Sequence, residues 1–204
     1  MRITIIFAIH LLFLSACADK PLILEDWRAY LQDEENGLRK NKEWGGLELT
    51  LEYRPTDALV WQEYGFSDRI ENKKMWDSLS AKYEDQVYFN LSIASNNNDL
   101  LTALGSQDPR YYEVLQGLSF KMEEYTGIIT SCRDTITTLQ ANFFRNFDST
   151  STDILLVFEN QHLLACNEFD IWVKNLGLNM PIQKFTFNSN DLRRTPRLLI
   201  KTKE

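Results

Sequence analysis

The stretch Leu47-Glu48-Leu49-Thr50-Leu51-Glu52-Tyr53-Arg54 decides the class of fold. Leucines and a tyrosine alternate there with charged or hydroxylated residues at a period of two. Such a pattern is a β-strand with one face in a core and the other in water. Gly45-Gly46 stand in front of it, and Leu38 to Trp44 in front of them. Two glycines between extended arms predict a hairpin, because both central residues of its favoured turn need positive φ. Pro55 ends the second arm. Thr56 to Tyr64 is ambiguous between strand and helix.

Upstream of the hairpin, Leu24, Trp27 and Leu31 recur at helical spacing within Leu22 to Glu35, and Glu25 and Asp26 suit a first turn. Asn36-Gly37 predicts the stop. Downstream, Asp68 is the expected cap of a helix to about Asp85, with Ile70, Trp76, Leu79 and Tyr83 on one side. Val87, Phe89, Leu91 and Ile93 alternate with Tyr88, Asn90 and Ser92 as a second clear strand. Ser95 to Asp99 reads as a loop. Short helices are expected over 99–104 and 109–116.

Beyond Gly117 the pattern turns to strands. They are expected over Leu118–Tyr125, Ile128–Cys132, Thr135–Phe147, Ile154–Phe158, Phe169–Lys174, Ile182–Phe187 and Leu198–Thr202. Asp148 to Asp153 is the expected turn between two long arms, the first presenting Leu139, Ala141, Phe143 and Phe147 on one face. The continuous apolar run Ile154–Phe158 predicts a strand covered on both faces. The expected class is therefore α+β: N-terminal helices and a hairpin, then a β-rich, sandwich-like antiparallel C-terminal half.

The N-terminus carries an address. Arg2 precedes an apolar run from Ile3 to Leu14, broken only by Thr4 and His10. About a dozen residues cannot span a bilayer, which needs roughly 20. The run has the length of a signal-peptide core. It leads directly into Leu14-Ser15-Ala16-Cys17, which resembles the lipobox of bacterial lipoproteins. The resemblance covers the first 17 residues. It implies cleavage before Cys17, diacylation of that cysteine and attachment to a membrane. Residues 1–16 are then a signal peptide, 17–21 a lipidated tether and 22–204 one globular domain. Ala18 follows the cysteine where an aspartate often retains a lipoprotein at the inner membrane, so the sorting rule points to the outer membrane. The Asn36-Gly37-Leu38 turn, Lys40, Lys42 and the Leu-Glu-Tyr-Arg-Pro run ending at Pro55 resemble the openings of small envelope lipoproteins of unassigned function.

Removing the first 16 of 204 residues leaves 188, enough to bury a core without staples. The formal charge of −7 becomes −8 once Arg2 is gone. An acidic body argues against nucleic acid and against general adhesion to anionic lipid. Cys132 and Cys166 remain after lipidation. An even count in an oxidising compartment makes a disulfide plausible, and two separate buried thiols are the alternative.

Few residues offer chemistry. His10 leaves with the signal peptide, so His162 is the single mature histidine. One histidine excludes a histidine-rich zinc site within the chain. There is no G-x-S-x-G elbow, no glycine-rich phosphate loop and no CxxC. Carboxylates cluster at Asp33-Glu34-Glu35, Glu84-Asp85 and Glu123-Glu124, where solvated surface explains them. Asn96-Asn97-Asn98-Asp99 lacks the spacing and glycine of a calcium loop. No catalytic residue, metal or cofactor is assigned. The five tryptophans are more suggestive. Trp44 and Trp61 flank the amphipathic strand, and Trp172 sits in the polar register of Phe169–Lys174, as an interface anchor would.

The expectation is a lipid-anchored outer-membrane lipoprotein that acts, without catalysis, as an interaction or assembly subunit for an envelope protein. An immunity-type lipoprotein would suit a basic toxin. A glycan-binding module would use Trp172. A carboxylate-dependent hydrolase has the least support.

Overall fold

A computed structural model describes residues 20–202 apart from 68, 71, 145–149 and 161–162. Cys17, Asp68, Phe147 and His162 therefore lie outside the described residues. The strands are β1 (Arg39–Trp44), β2 (Leu47–Arg54), β3 (Arg69–Ile70), β4 (Gln86–Ser95), β5 (Asn98–Asp99), β6 (Thr126–Thr130), β7 (Thr135–Thr137), β8 (Gln140–Phe144), β9 (Thr152–Glu159), β10 (Glu168–Val173), β11 (Gln183–Asn188) and β12 (Lys201–Thr202). The helices are α1 (Leu24–Gln32), α2 (Thr56–Glu63), α3 (Lys73–Tyr83), α4 (Leu100–Leu104), α5 (Tyr111–Phe120), α6 (Met122–Tyr125) and α7 (Ser189–Arg193).

The hairpin forms as its sequence dictates. Gly45 and Gly46 take φ of 55° and 82°, and Trp44 faces Leu47 across the turn. Leu47, Leu49 and Leu51 are buried while Glu48 is exposed. The hairpin then becomes the edge of a larger antiparallel sheet, in the order β1-β2-β4-β9-β8, with β5 folded back on β4. A second antiparallel sheet runs β11-β10-β6-β7. The two sheets meet through Phe89 of β4. Its ring centroid lies 5.0 Å from Phe187 on β11 and 6.1 Å from Phe169 on β10. Leu91, Ile154, Leu156 and Phe158 on one side and Ile128, Ile171, Val173 and Phe185 on the other complete a core buried between the sheets. The fold is α+β with a sandwich of two antiparallel sheets.

A smaller cluster lies on the outer face of the first sheet, where Leu59 of α2 packs on Tyr88 and Val157. The apolar run of β9 is therefore covered on both faces at that end. The other end of the outer face is polar. Asp153 accepts from Asn90 Nδ2 at 3.2 Å, from Ser92 Oγ and from Ser151 Oγ at 3.2 Å.

Several expectations are corrected. Leu118–Tyr125 is helical, divided between α5 and α6. Leu118, Phe120 and Met122 fit a two-residue period, but Tyr111, Val114 and Leu118 form a helical stripe that is buried, and Phe120 is 79% exposed. Tertiary packing decides in favour of the stripe. Thr135–Phe147 is not one arm. It breaks between β7 and β8, which pair with different sheets. At the break Thr138 Oγ1 lies 2.8 Å from Thr126 Oγ1, and Leu139 N donates to Val157 O at 2.9 Å. The chain thus turns the corner from one sheet to the other. Ser95–Asp99 is a tight hairpin rather than a loop, because Asn96 and Asn97 accept φ of 48° and 59°. The helix expected to begin at Asp68 starts at Lys73, with the Asn72 side chain accepting from Lys74 N. The C-terminal segment adds only β12, parallel to β3, and a bridge from Leu198 to Leu22.

Cys132 and Cys166 are bonded, with Cα atoms 5.9 Å apart. The bridge ties the β6–β7 turn to the segment before β10. Closing a 34-residue loop in the unfolded chain corresponds to about 3–4 kcal/mol. Cys132→Ser should therefore lower the urea-unfolding free energy by that order. Two alkylatable thiols in unreduced, denatured protein would show that the bridge does not form.

Candidate binding recess between the first two helices

Helix α2 starts directly after Pro55, whose ring suits a helix entry and disfavours helical backbone at Arg54 before it. It ends in a Schellman motif. Gly65 N donates to Gln62 O at 3.1 Å, and Phe66 N to Trp61 O at 2.9 Å. Gly65 takes φ of 81° and Phe66 φ of 62°. The left-handed turn throws the Phe66 side chain back over Trp61, edge to face, with centroids 5.0 Å apart. Phe66 is nevertheless 60% exposed. A bulky residue held at positive φ with its ring in solvent is uncommon.

This aromatic pair forms one wall of a recess of about 310 Å³. Helix α1 forms the other. Trp27 and Leu31 bury into the core and leave Arg28 and Gln32, one turn apart, on the rim. The Arg28 guanidinium lies 6.0 Å from the Trp61 ring centroid. Glu52 and Arg54, on the outer face of β2, make the floor. One buried donor of the recess walls, Trp61 Nε1, has no hydrogen-bond partner. A buried unpaired donor costs about 1–3 kcal/mol.

Burial raises the Glu52 pKa above its ordinary carboxylate value, Arg54 and Arg39 pull it back, and Asp153 adds to the rise. A raised folded-state pKa favours the neutral acid. Its contribution to stability is present below the unfolded-state value and is lost as pH climbs through the folded-state value. At pH 7 the ionised group opposes folding. Glu52→Gln should therefore raise the melting temperature at pH 7 and change it less at pH 4. Equal shifts at both pH values would contradict this assignment.

The structure does not gather the three tryptophans singled out in the sequence. Trp61 lines the recess. Trp44 is 45% exposed at the tip of the hairpin, remote along β1 from it. Trp172 is half-buried on the outer face of the second sheet. It lies over Gly127 so closely that no Cβ would fit there, and Lys174 Nζ sits 4.8 Å from its ring. The acidic runs take structural parts. Asp33 accepts from Glu35 N, Asp99 caps α4 through Leu101 N and Thr102 N, and Glu123 accepts from Ala141 N. Glu123 and Glu124 lie on a helix, not the strand expected. Among the described residues no three His, Cys, Asp or Glu side chains gather as metal ligands. A wider depression of about 440 Å³ runs along β7, past Thr135, Thr137 and Glu159, but it has no aromatic wall.

No family model and no curated protein matches the chain. Two solved structures resemble it at 13% identity. One is a protein of unknown function from Burkholderia pseudomallei, covering 86% of this chain and 93% of its own, with a TM-score of 0.41. The other is a DUF4426 family protein from Pseudomonas aeruginosa, covering 74% and 92%, with a TM-score of 0.33. Likenesses at this level carry no functional assignment.

Proposed function

We propose that the chain is an outer-membrane lipoprotein, anchored through Cys17, whose domain works without catalysis as a binding subunit for an envelope protein. The Leu14–Cys17 resemblance supports the anchor. The observation that carries the binding role is the Trp61–Phe66 recess. Its walls are aromatic and its rim carries Arg28. Aromatic and arginine side chains around a desolvated pocket are the composition of an interface hot spot. A protruding partner side chain that ends in an acceptor would fill the recess and pair with the Arg28 guanidinium on its rim.

The test is in-cell photocrosslinking from the Phe66 position, followed by mass spectrometry. One stoichiometric envelope protein is expected. Trp61→Ala should weaken its capture about tenfold or more, as removal of a central anchor does. Crosslinks spread over abundant proteins, unchanged by Trp61→Ala, would overturn the assignment.

A further inference from the structure

On one side of the sandwich each sheet ends in an edge strand, β1 in the first and β11 in the second, with no further strand beyond it among the described residues. Both edges border one groove of about 390 Å³. The ladders fix which backbone groups face it. Tyr53 N donates to Leu38 O at 2.8 Å, so alternation turns the N–H and C=O of Arg39, Asn41 and Glu43 away from β2. Ser189 N donates to Asn167 O at 2.9 Å, which turns those of Lys184, Thr186 and Asn188 away from β10. The Asp191 side chain packs against Gly37, just ahead of β1.

The charge of the groove opposes that of the chain. Arg39, Lys40, Lys42 and Lys184 line it, against the Glu34 carboxylate, which accepts from Asn41 Nδ2, with the Asp191 carboxylate nearby at Gly37. The whole chain is at −7. Lys40 and Lys42 share the register of Leu51 and Leu49, so they point toward the inside of the sandwich. Their ammonium groups lie 5.9 Å from the Phe187 ring and 5.7 Å from the Phe185 ring. They cap the open end of the core with cations.

We infer that this groove takes an extended acidic segment of a partner polypeptide, added as a strand along the β1 or β11 edge. The free backbone groups supply the ladder bonds by which strand addition gains affinity. The lysines supply the selection. Inward-pointing charge at an edge suppresses pairing with arbitrary strands. A neutral or basic strand would bury these cations without counter-charges, whereas carboxylates at alternate positions would neutralise them. Pairing of these basic edges between two copies of the chain would set the cations against one another, which disfavours self-pairing here. The groove is distinct from the Trp61 recess, so either site can fail without the other.

The probe is a capped peptide of about seven residues alternating Glu and Val, the length that spans the β1 edge; its Lys–Val counterpart is the control. The full chain in detergent should bind the acidic peptide. Amide shifts should fall on Arg39, Asn41 and Glu43 or on Lys184, Thr186 and Asn188. Added salt should weaken binding, and the charge reversals Lys42→Glu and Lys184→Glu together should weaken it about tenfold or more. Both lysines are exposed, and a thermal melt checks the fold; Lys42→Gln with Lys184→Gln gives the neutral comparison. Equal binding of the Lys–Val peptide, indifference to the lysine changes, or shifts confined to Phe66 and Trp61 would overturn the inference. So would lysine-dependent binding to phosphatidylglycerol vesicles with no binding of the acidic peptide, which would make the groove a lipid-headgroup site.

Discussion

Phe89→Ala should cost about 3–5 kcal/mol of stability, the range for truncating a large aromatic side chain in a core. Phe89 is fully buried. Its ring packs against Phe169 and Phe187 of the second sheet and, within its own sheet, against Tyr53 at 5.7 Å and Phe158 at 6.3 Å. Each aromatic pair adds about 0.5–1.5 kcal/mol beyond burial of area. The surroundings cannot collapse into the gap. Strand β4 is held between β2 and β9 over eight registered positions on each side, so its backbone is pinned. Urea unfolding is the measurement. Phe144→Ala is the control, because that ring is 67% exposed and its loss should stay within about 0.5 kcal/mol. A cost below about 1 kcal/mol at Phe89 would mean that the two inner faces are not in contact there.

Position 89 also shows what the sequence makes legible. Alternation in 47–54 and 87–93 identifies two strands and their buried faces, since a slip of one residue would put Glu48 or Asn90 into the core. That these strands are neighbours, and that β9 joins β4 across a long stretch of intervening chain, is a non-local pairing with no local signature. The failure at Leu118–Tyr125 has the same cause. Leu118, Phe120 and Met122 satisfy a period of two, and only the burial of Tyr111, Val114 and Leu118 along one face of α5, with Phe120 left exposed, separates the alternatives. The single arm expected over Thr135–Phe147 failed because a sheet-switching corner is made by partners, Thr126 and Val157, that the segment itself does not contain.

The recess was half legible. Trp61 was singled out, but as a flank of a strand. Its setting depends on Gly65, two residues past the end of α2, and on the apposition of α1 across the outer face of β2. The Tyr64-Gly65 pair was the available local signal for a helix stop. Arg28, Glu52 and Arg54 carry no pattern that separates them from solvated charges. They become a site only because three elements meet over them.

The other large effect concerns the anchor, on the reading that Cys17 is acylated. Cys17→Ala should abolish incorporation of labelled fatty acid and move the protein from the membrane to the soluble fraction. The magnitude follows from chain number. Each buried CH₂ contributes about 0.8 kcal/mol, and a single acyl chain binds only with K of about 10⁴ M⁻¹. A second chain of about a dozen methylenes adds on the order of 10 kcal/mol, which makes attachment durable. The variant keeps no substitute. An uncleaved apolar run from Ile3 to Leu14 extends roughly 18 Å as a helix, against a hydrocarbon core of about 30 Å. Electrostatics cannot hold the protein either, because a net charge of −7 is repelled by anionic headgroups. Fractionation before and after a high-salt wash separates the two contributions. Membrane retention that survives the wash in Cys17→Ala would refute the lipobox reading and would place the anchor elsewhere in the chain.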